Sequence, residues 1–305
     1  MGRFDRFGVR CRTKGSPMTS PSSGPITVAP ASRAEWELVQ GWAAEEGWNP
    51  GRADGDAFFA QDPDGFFLGR VDGEPVSAVS VVTYGDAYAF LGFYLVRPEL
   101  RGRGLGLATW RAGLAHAGGR AVGLDGVPTQ QDNYRRSGFT TAYRTARYVG
   151  EVPVPEGPVA GVVPAARVDP ALLAAYDSAC HHAERPRFLA AWLTTPGHRA
   201  LARVVDGRVT GYGVVRPCQD EARVGPLFAD GPADAAALLD ALAGEARGFG
   251  ARSIAVDMPE TNPAAARLAE DRGLTPTFET ARMYTAPVRP VAVDRVFGVT
   301  TLELG

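Results

Sequence analysis

The run Val96-Arg97-Pro98-Glu99-Leu100-Arg101-Gly102-Arg103-Gly104-Leu105-Gly106-Leu107-Ala108-Thr109-Trp110 joins two segments of different periodicity. Before it, 87–96 is almost wholly apolar, as expected of a buried strand. After it, Leu105, Ala108, Ala112 and Ala115 recur at helical spacing and predict the buried face of a helix. Between strand and helix lie alternating glycines and the cations Arg101 and Arg103. Such a junction gathers unpaired backbone N–H groups, the positive end of a helix dipole and two guanidinium groups. It is a receptor for an anionic phosphate. A dinucleotide fingerprint requires Gly where Leu107 stands, and a nucleoside-triphosphate loop requires a Gly-Lys-Ser/Thr that is missing.

The pattern Arg101-x-x-Gly104-x-Gly106 after Val96-Arg97-Pro98 resembles the acyl-CoA pyrophosphate loop of the GNAT acyltransferase superfamily. Upstream, Ser32-Arg33-Ala34-Glu35 has capping-box spacing at the start of a helix reaching about Glu45. A second short helix is predicted over 56–61, with strands at 65–71 and 75–83 joined by the tight-turn pair Asp72-Gly73. Another strand is predicted over 120–125. Gln131-Asp132-Asn133-Tyr134-Arg135-Arg136-Ser137-Gly138-Phe139 then resembles the second signature of the family, a short helix ending in Tyr-x-x-x-Gly-Phe.

The second half repeats the order of the first. Helices are predicted over 170–179 and 185–193, then strands near 200–205, 210–215 and 223–228, with a turn at Asp206-Gly207. A helix over 233–246, a strand at 253–256, a helix over 263–271 and a final pair of strands follow. Where the first half has Arg-Gly-Arg-Gly, this half has Asp230-Gly231-Pro232-Ala233-Asp234. Two acids repel pyrophosphate and Pro232 supplies no donor, so this half is not expected to bind CoA. The ending 284–305, with Glu46-Gly47-Trp48-Asn49-Pro50-Gly51 and Gly123-Leu124-Asp125-Gly126-Val127, resembles the YitH-like tandem GNAT branch. The resemblance implies an α/β (α+β) fold of two tandem GNAT-like domains, each a mixed, mostly antiparallel sheet flanked by helices. The expected boundaries are 25–150 for a catalytic domain, 151–164 for a Pro/Gly-rich linker and 165–305 for a divergent domain without the CoA loop. Residues 1–24 read as a disordered tail or an extension from an upstream start.

The resemblance also implies a chemistry. The N–H groups of Gly102, Arg103, Gly104, Leu105, Gly106 and Leu107, with the Arg101 and Arg103 side chains, would hold the pyrophosphate of acetyl-CoA. Leu95 and Val96 stand where the family's strand bonds the pantetheine arm and the thioester oxygen. Tyr134 would protonate the departing thiolate. Asn133 contacts the cofactor or serves the helix start. No carboxylate lies on 87–96, so Asp125 is the candidate base, with a bound water relaying the proton as the alternative. Trp48 and Phe59 wall the acceptor pocket or pack the core.

The expected activity is transfer of an acetyl group to a primary amine of a small-molecule or amino-acid-like acceptor in a ternary complex. A non-catalytic acyl-CoA sensor is the alternative from another class. The second half shapes or covers the pocket or forms a homodimer surface. The net charge of −2 gives no bulk electrostatic case for nucleic acid or an anionic membrane. No apolar run approaches the ~18 residues of a membrane span. Three widely spaced cysteines argue against a disulfide framework and favour a reducing cytoplasm. Cys180-His181-His182 lacks a complementary cluster, so no metal is expected.

Overall fold

In the computed structural model, which describes residues 24–305, strand β1 (Ile26–Pro30) leads into helix α1 (Arg33–Glu45) through a complete capping box. Ser32 N–H donates to Glu35 Oε2 at 2.8 Å and Glu35 N–H donates to Ser32 Oγ at 3.3 Å, satisfying two orphan donors of the helix start. Helix α2 (Asp54–Gln61) follows, then strands β2 (Phe66–Val71) and β3 (Glu74–Tyr84). Their turn places Asp72 and Gly73 at φ 52° and 85°, the two positive values that a tight hairpin turn requires. Strand β4 (Tyr88–Val96), helix α3 (Leu105–Ala117), strand β5 (Ala121–Gly126), helix α4 (Gln131–Arg136) and strand β6 (Thr140–Gly150) complete the first half.

The second half runs β7 (Val162–Pro164), α5 (Pro170–Cys180), α6 (Pro186–Thr194), β8 (Arg199–Val205), β9 (Arg208–Arg216) and β10 (Ala222–Ala229). It continues through α7 (Pro232–Gly248), β11 (Ile254–Pro259), α8 (Pro263–Asp271), β12 (Thr275–Tyr284) and β13 (Val296–Gly298). Part of the expected linker is therefore strand, since β7 pairs with β8. The strand β6 had no counterpart in the sequence reading.

All strands belong to one sheet, ordered β1-β2-β3-β4-β5-β12-β6-β11-β10-β9-β8-β7, with β13 added against β10. Among the described residues, parallel pairing occurs only at β4–β5 and β10–β11; the other ladders are antiparallel. The order is symmetric about its middle, and the last strand of each half crosses to the other. Strand β12 pairs with β5, while β6 pairs with β11. The two halves thus repeat one strand order along the chain, and their strands close on each other through β6 and β12.

Helix α3 packs on the sheet through Gly106, Thr109, Trp110, Gly113 and Ala117, and not through the Leu105/Ala108/Ala112/Ala115 face that spacing suggested. Close approach is the reason. A Cβ on Gly113 would stand 2.8 Å from Val79 Cγ1, and Thr109 Oγ1 bonds Ser77 Oγ at 2.6 Å. Small and hydroxyl side chains admit the sheet, while Ala108 and Ala112 are half-buried and Ala115 faces solvent. On the opposite face α1, α2 and α6 share one aromatic core, in which Phe58 of α2 stacks on Trp192 of α6 at 6.1 Å. Buried side chains of this kind contribute roughly 1.5–3 kcal/mol each.

Candidate active site

Strands β4 and β5 run together from Tyr88↔Ala121 to Leu91↔Leu124 and then part. A bulge drives them apart: Phe93 and Tyr94 oppose the single residue Val79 of β3, and Phe93 is held at φ 46°. That is a costly conformation for an aromatic residue, on the order of 1–3 kcal/mol, and such strain concentrates at functional sites. Beyond the bulge β4 stays with β3, whereas β5 stays with β12, its partner on the other edge from Gly123 to Gly126. The β5-facing backbone of Leu95 and Val96 is left without a strand partner.

A cleft of about 550 Å³ fills this opening. At one end it is lined by Leu100, Arg101, Gly102 and Gly104, together with Leu105, Gly106 and Leu107 of α3. Gly104 caps α3 in the left-handed region at φ 76°, with no side-chain cap and no acid in the first turn. A Cβ added to Gly102 or Gly104 would meet nothing within 4 Å, so the loop is an open cradle; Leu107 N–H donates to the Gly104 carbonyl at 3.1 Å, and the N–H groups of 102–106 are uncapped. Arg101 donates Nε to the Val96 carbonyl at 3.0 Å and pairs with Glu46. That exposed pair is worth at most about 1 kcal/mol, so an anion displaces Glu46 at small cost. The donor set fits a pyrophosphate. Arg103 is exposed and does not line the cleft.

Tyr134 forms part of the floor. Its ring stacks on Trp110 at 5.5 Å and lies against Gly126, where a Cβ would stand 2.9 Å from Tyr134 Cδ2. Burial, with some help from Tyr94, pushes the Tyr134 hydroxyl well above the usual phenol range, so it remains protonated at neutral pH. Asn133 is exposed beside it, bonded to Gln130 and Arg136 within its own turn and outside the cleft.

The far end of the cleft draws on both halves. Trp48 lines it, together with Phe278, Thr280, Arg147, Leu302 and Glu303. Phe59 does not; it stacks on Phe66 at 4.0 Å within the core. Asp125 reaches the wall, but both its oxygens accept from Arg282, at 2.9 and 2.7 Å. Burial raises its pKa while Arg282 opposes the shift. The functional candidates missed in the sequence, Arg147 and Glu303, are joined through Asp257 and Arg223. Arg147 Nε donates to Asp257 Oδ1 at 2.8 Å, and Arg223 pairs with Asp257 and, at 3.2 Å, with Glu303. Burial disfavours the Asp257 charge, yet the two guanidinium groups hold it well below the usual carboxylate range.

Cys180 and Cys218 are unpaired and lie outside the cleft, and burial pushes both thiols up to about 12. Among the described residues no cluster of metal-ligating side chains is found, and no helix is long and apolar enough to cross a membrane.

The acetyltransferase (GNAT) family model matches residues 33–139, and an acetyltransferase (GNAT) domain model matches residues 173–298. A holothin acyltransferase of Pseudoalteromonas sp. (strain SANK 73390) is 34% identical over 284 residues, covering 92% of this chain and 94% of that protein. Two solved structures share the fold at lower identity. A Pyrococcus horikoshii protein assigned as an acetyltransferase superposes with TM-score 0.77 at 23% identity, covering 96% of this chain and 100% of that one. A tandem GNAT protein of the clavulanic acid biosynthesis pathway does so with TM-score 0.60 at 17% identity, covering 86% and 99%. With a relative this similar along nearly its whole length, and one GNAT match in each half, the chain belongs to the GNAT superfamily of acyltransferases and carries two GNAT units in tandem.

Proposed function

We propose that the protein is an acetyl-CoA-dependent N-acyltransferase that acetylates a primary amine on a small-molecule or amino-acid-like acceptor, by direct attack in a ternary complex. The observation that carries this reading is the open parting of β4 and β5, which runs from the uncapped glycine loop to the Tyr134 floor. Acetyl-CoA supplies a thioester carbonyl and a thiol leaving group. The N–H groups of 102–106 with the Arg101 side chain hold its pyrophosphate, and the Leu95 and Val96 backbone stabilises negative charge on the carbonyl oxygen. Tyr134, protonated at neutral pH as a phenol is, gives its proton to the leaving sulfur. The acceptor amine, with a pKa of about 10, costs ~4 kcal/mol to deprotonate at pH 7. Double pairing of Asp125 with Arg282 favours a water relay over Asp125 for that proton. Direct transfer accords with cysteine thiols that are buried and outside the cleft. Unpaired thiols also accord with a cytoplasmic location.

Thiol release measured over a panel of primary amines, holothin among them, tests the proposal. At least one acceptor is expected to turn over, and Tyr134→Phe is expected to lower kcat by ~10²-fold with little change in the KM for acetyl-CoA. Acetyl-CoA binding without thiol release on any acceptor points instead to a sensor. Undiminished kcat in Tyr134→Phe removes Tyr134 from the reaction.

A further inference from the structure

The C-terminal segment brings a carboxylate into the cleft that the steps above do not use. Beyond β13 the tail is pinned along its length. The Tyr84 hydroxyl donates to the Leu304 carbonyl at 2.8 Å, and Leu304 N–H donates to Thr301 Oγ1 at 2.8 Å. The Glu303 carbonyl packs so tightly on Gly92, at the β4 bulge, that any Cβ there would collide with it. Glu303 lines the cleft with only 4% of its surface exposed. Its Oε1 accepts from Arg223 at 3.2 Å, while its Oε2 is buried and has no hydrogen-bond partner among the described residues. Thr280 Oγ1, on another wall of the same cleft, is likewise buried and unpartnered. A buried carboxylate oxygen without a donor is costly, and it can accept only. The site is complete when a ligand brings N–H groups to it.

The cations around this end are already compensated. Arg147 is engaged by Asp257 and by the Trp48 carbonyl at 3.1 Å, and Arg223 by Asp257 and Glu303. Arg101 lies at the phosphate loop with Glu46. A carboxylate on the acceptor therefore finds no uncompensated partner among the described residues and meets Glu303 at close quarters, a repulsive pairing in a weakly screened site. The remaining walls, Trp48, Phe93, Phe278 and Leu302, are apolar or aromatic.

We infer that Glu303 is the acceptor-binding carboxylate: its Oε2 receives an N–H of a primary ammonium borne by an apolar or aromatic body that carries no carboxylate. This rests on the acyl-transfer reading of the cleft and narrows its acceptor to an arylalkylamine-like compound as against an amino acid.

Calorimetry on the CoA-loaded full-length chain tests it with tyramine, tyrosine and tyrosol, which share one body and differ in the amine and carboxylate. Tryptamine and tryptophan serve as a second pair. The wild type is expected to bind an amine at least tenfold tighter than its amino acid, and tyramine at least tenfold tighter than tyrosol. Glu303→Gln keeps the shape of the tail and its bond to Arg223. It is expected to erase the preference for tyramine over tyrosol while leaving the CoA Kd within twofold, a change of selectivity that loosened packing would not produce. The inference is overturned if that preference survives in Glu303→Gln, if the amino acids bind as well as the amines, or if no amine binds the CoA-loaded chain. Failure of CoA itself to bind would overturn the parent reading as well, which separates the two.

Discussion

The sheet parts in two places, and the two partings have been put to different uses. Strands β4 and β5 separate after Leu91↔Leu124, and β10 and β11 separate after Val224↔Val256. Each parting follows a bulge of two residues against one, Phe93–Tyr94 opposite Val79 and Gly225–Pro226 opposite Val214. The first opens to solvent as the cleft. The second is closed by the chain itself, since β13 pairs with β10 at Leu227↔Gly298 and Val299 N–H donates to the Asp257 carbonyl at 2.9 Å. The helix starts differ in the same sense. That of α3 carries arginines and free N–H groups, whereas α7 begins at Pro232 between Asp230, bonded to the Tyr176 hydroxyl at 2.8 Å, and Asp234, paired with Arg203 at 3.0 Å. The segment that stops the second parting continues to the first and delivers Glu303 there. In one repeat the opening is filled, and the same segment furnishes the other with a wall and a charge.

If that account holds, removing residues 296–305 has the largest effect. Val296, Phe297, Val299 and Leu304 are all buried, and at roughly 1.5–3 kcal/mol each their loss is comparable to the ~5–15 kcal/mol that holds a typical fold. The truncated chain is expected to lose cooperative unfolding in urea. A truncated chain with the full-length midpoint would mean that the second parting needs no stopper.

Next in size is the charge network between the two partings. Asp257→Asn leaves Arg147 and Arg223 buried with one carboxylate fewer, a change expected to cost about 3–5 kcal/mol in equilibrium unfolding. The sign of its pH dependence follows from the direction of the shift. Because Asp257 titrates lower in the folded than in the unfolded chain, its stabilisation is fully present above the unfolded value of about 4 and is lost as pH falls below it toward the folded value. The wild type should therefore lose this contribution in acid, whereas Asp257→Asn should show a flatter stability profile there. Parallel profiles for the two proteins would argue against the network.

Much of this was legible where the signal is local. The Ser32/Glu35 box, the Asp72-Gly73 turn and the glycine loop each encode their geometry within a few residues, and each is found as read. Periodicity misjudged α3, because three of the five residues facing the sheet, Gly106, Thr109 and Gly113, carry little hydropathy. The exchange of β6 and β12 could not be read, since the residues of a strand do not say which neighbour it pairs with, and much of β6 is exposed or half-buried. Phe59 packs the core because an aromatic residue near a pocket and one behind it look alike in sequence. Glu303 was within reach: a lone acid in the apolar ending Val299-Thr300-Thr301-Leu302-Glu303-Leu304 is a buried charge that needs a partner. What sequence withholds is that the partner Arg223 lies 80 residues upstream and that the β4 wall of the cleft lies in the other half.

The finest test sets two glycines against each other. An added Cβ at Gly225 would collide with the Thr300 carbonyl, and one at Gly92 with the Glu303 carbonyl, so both alanine variants push on the same tail from its two ends. Overpacking of this kind costs roughly 1–3 kcal/mol, so both proteins should fold. Gly225→Ala presses on the stopper and should lower the unfolding midpoint while leaving acceptor binding close to wild type. Gly92→Ala presses on the residue that lines the cleft and should raise the acceptor KM severalfold for a similar or smaller loss of stability. Measured together, opposite orderings of stability and KM would show one segment serving two partings in two ways. The same ordering in both variants would mean that the tail responds as a single rigid strap, and that the division of roles between the halves lies elsewhere.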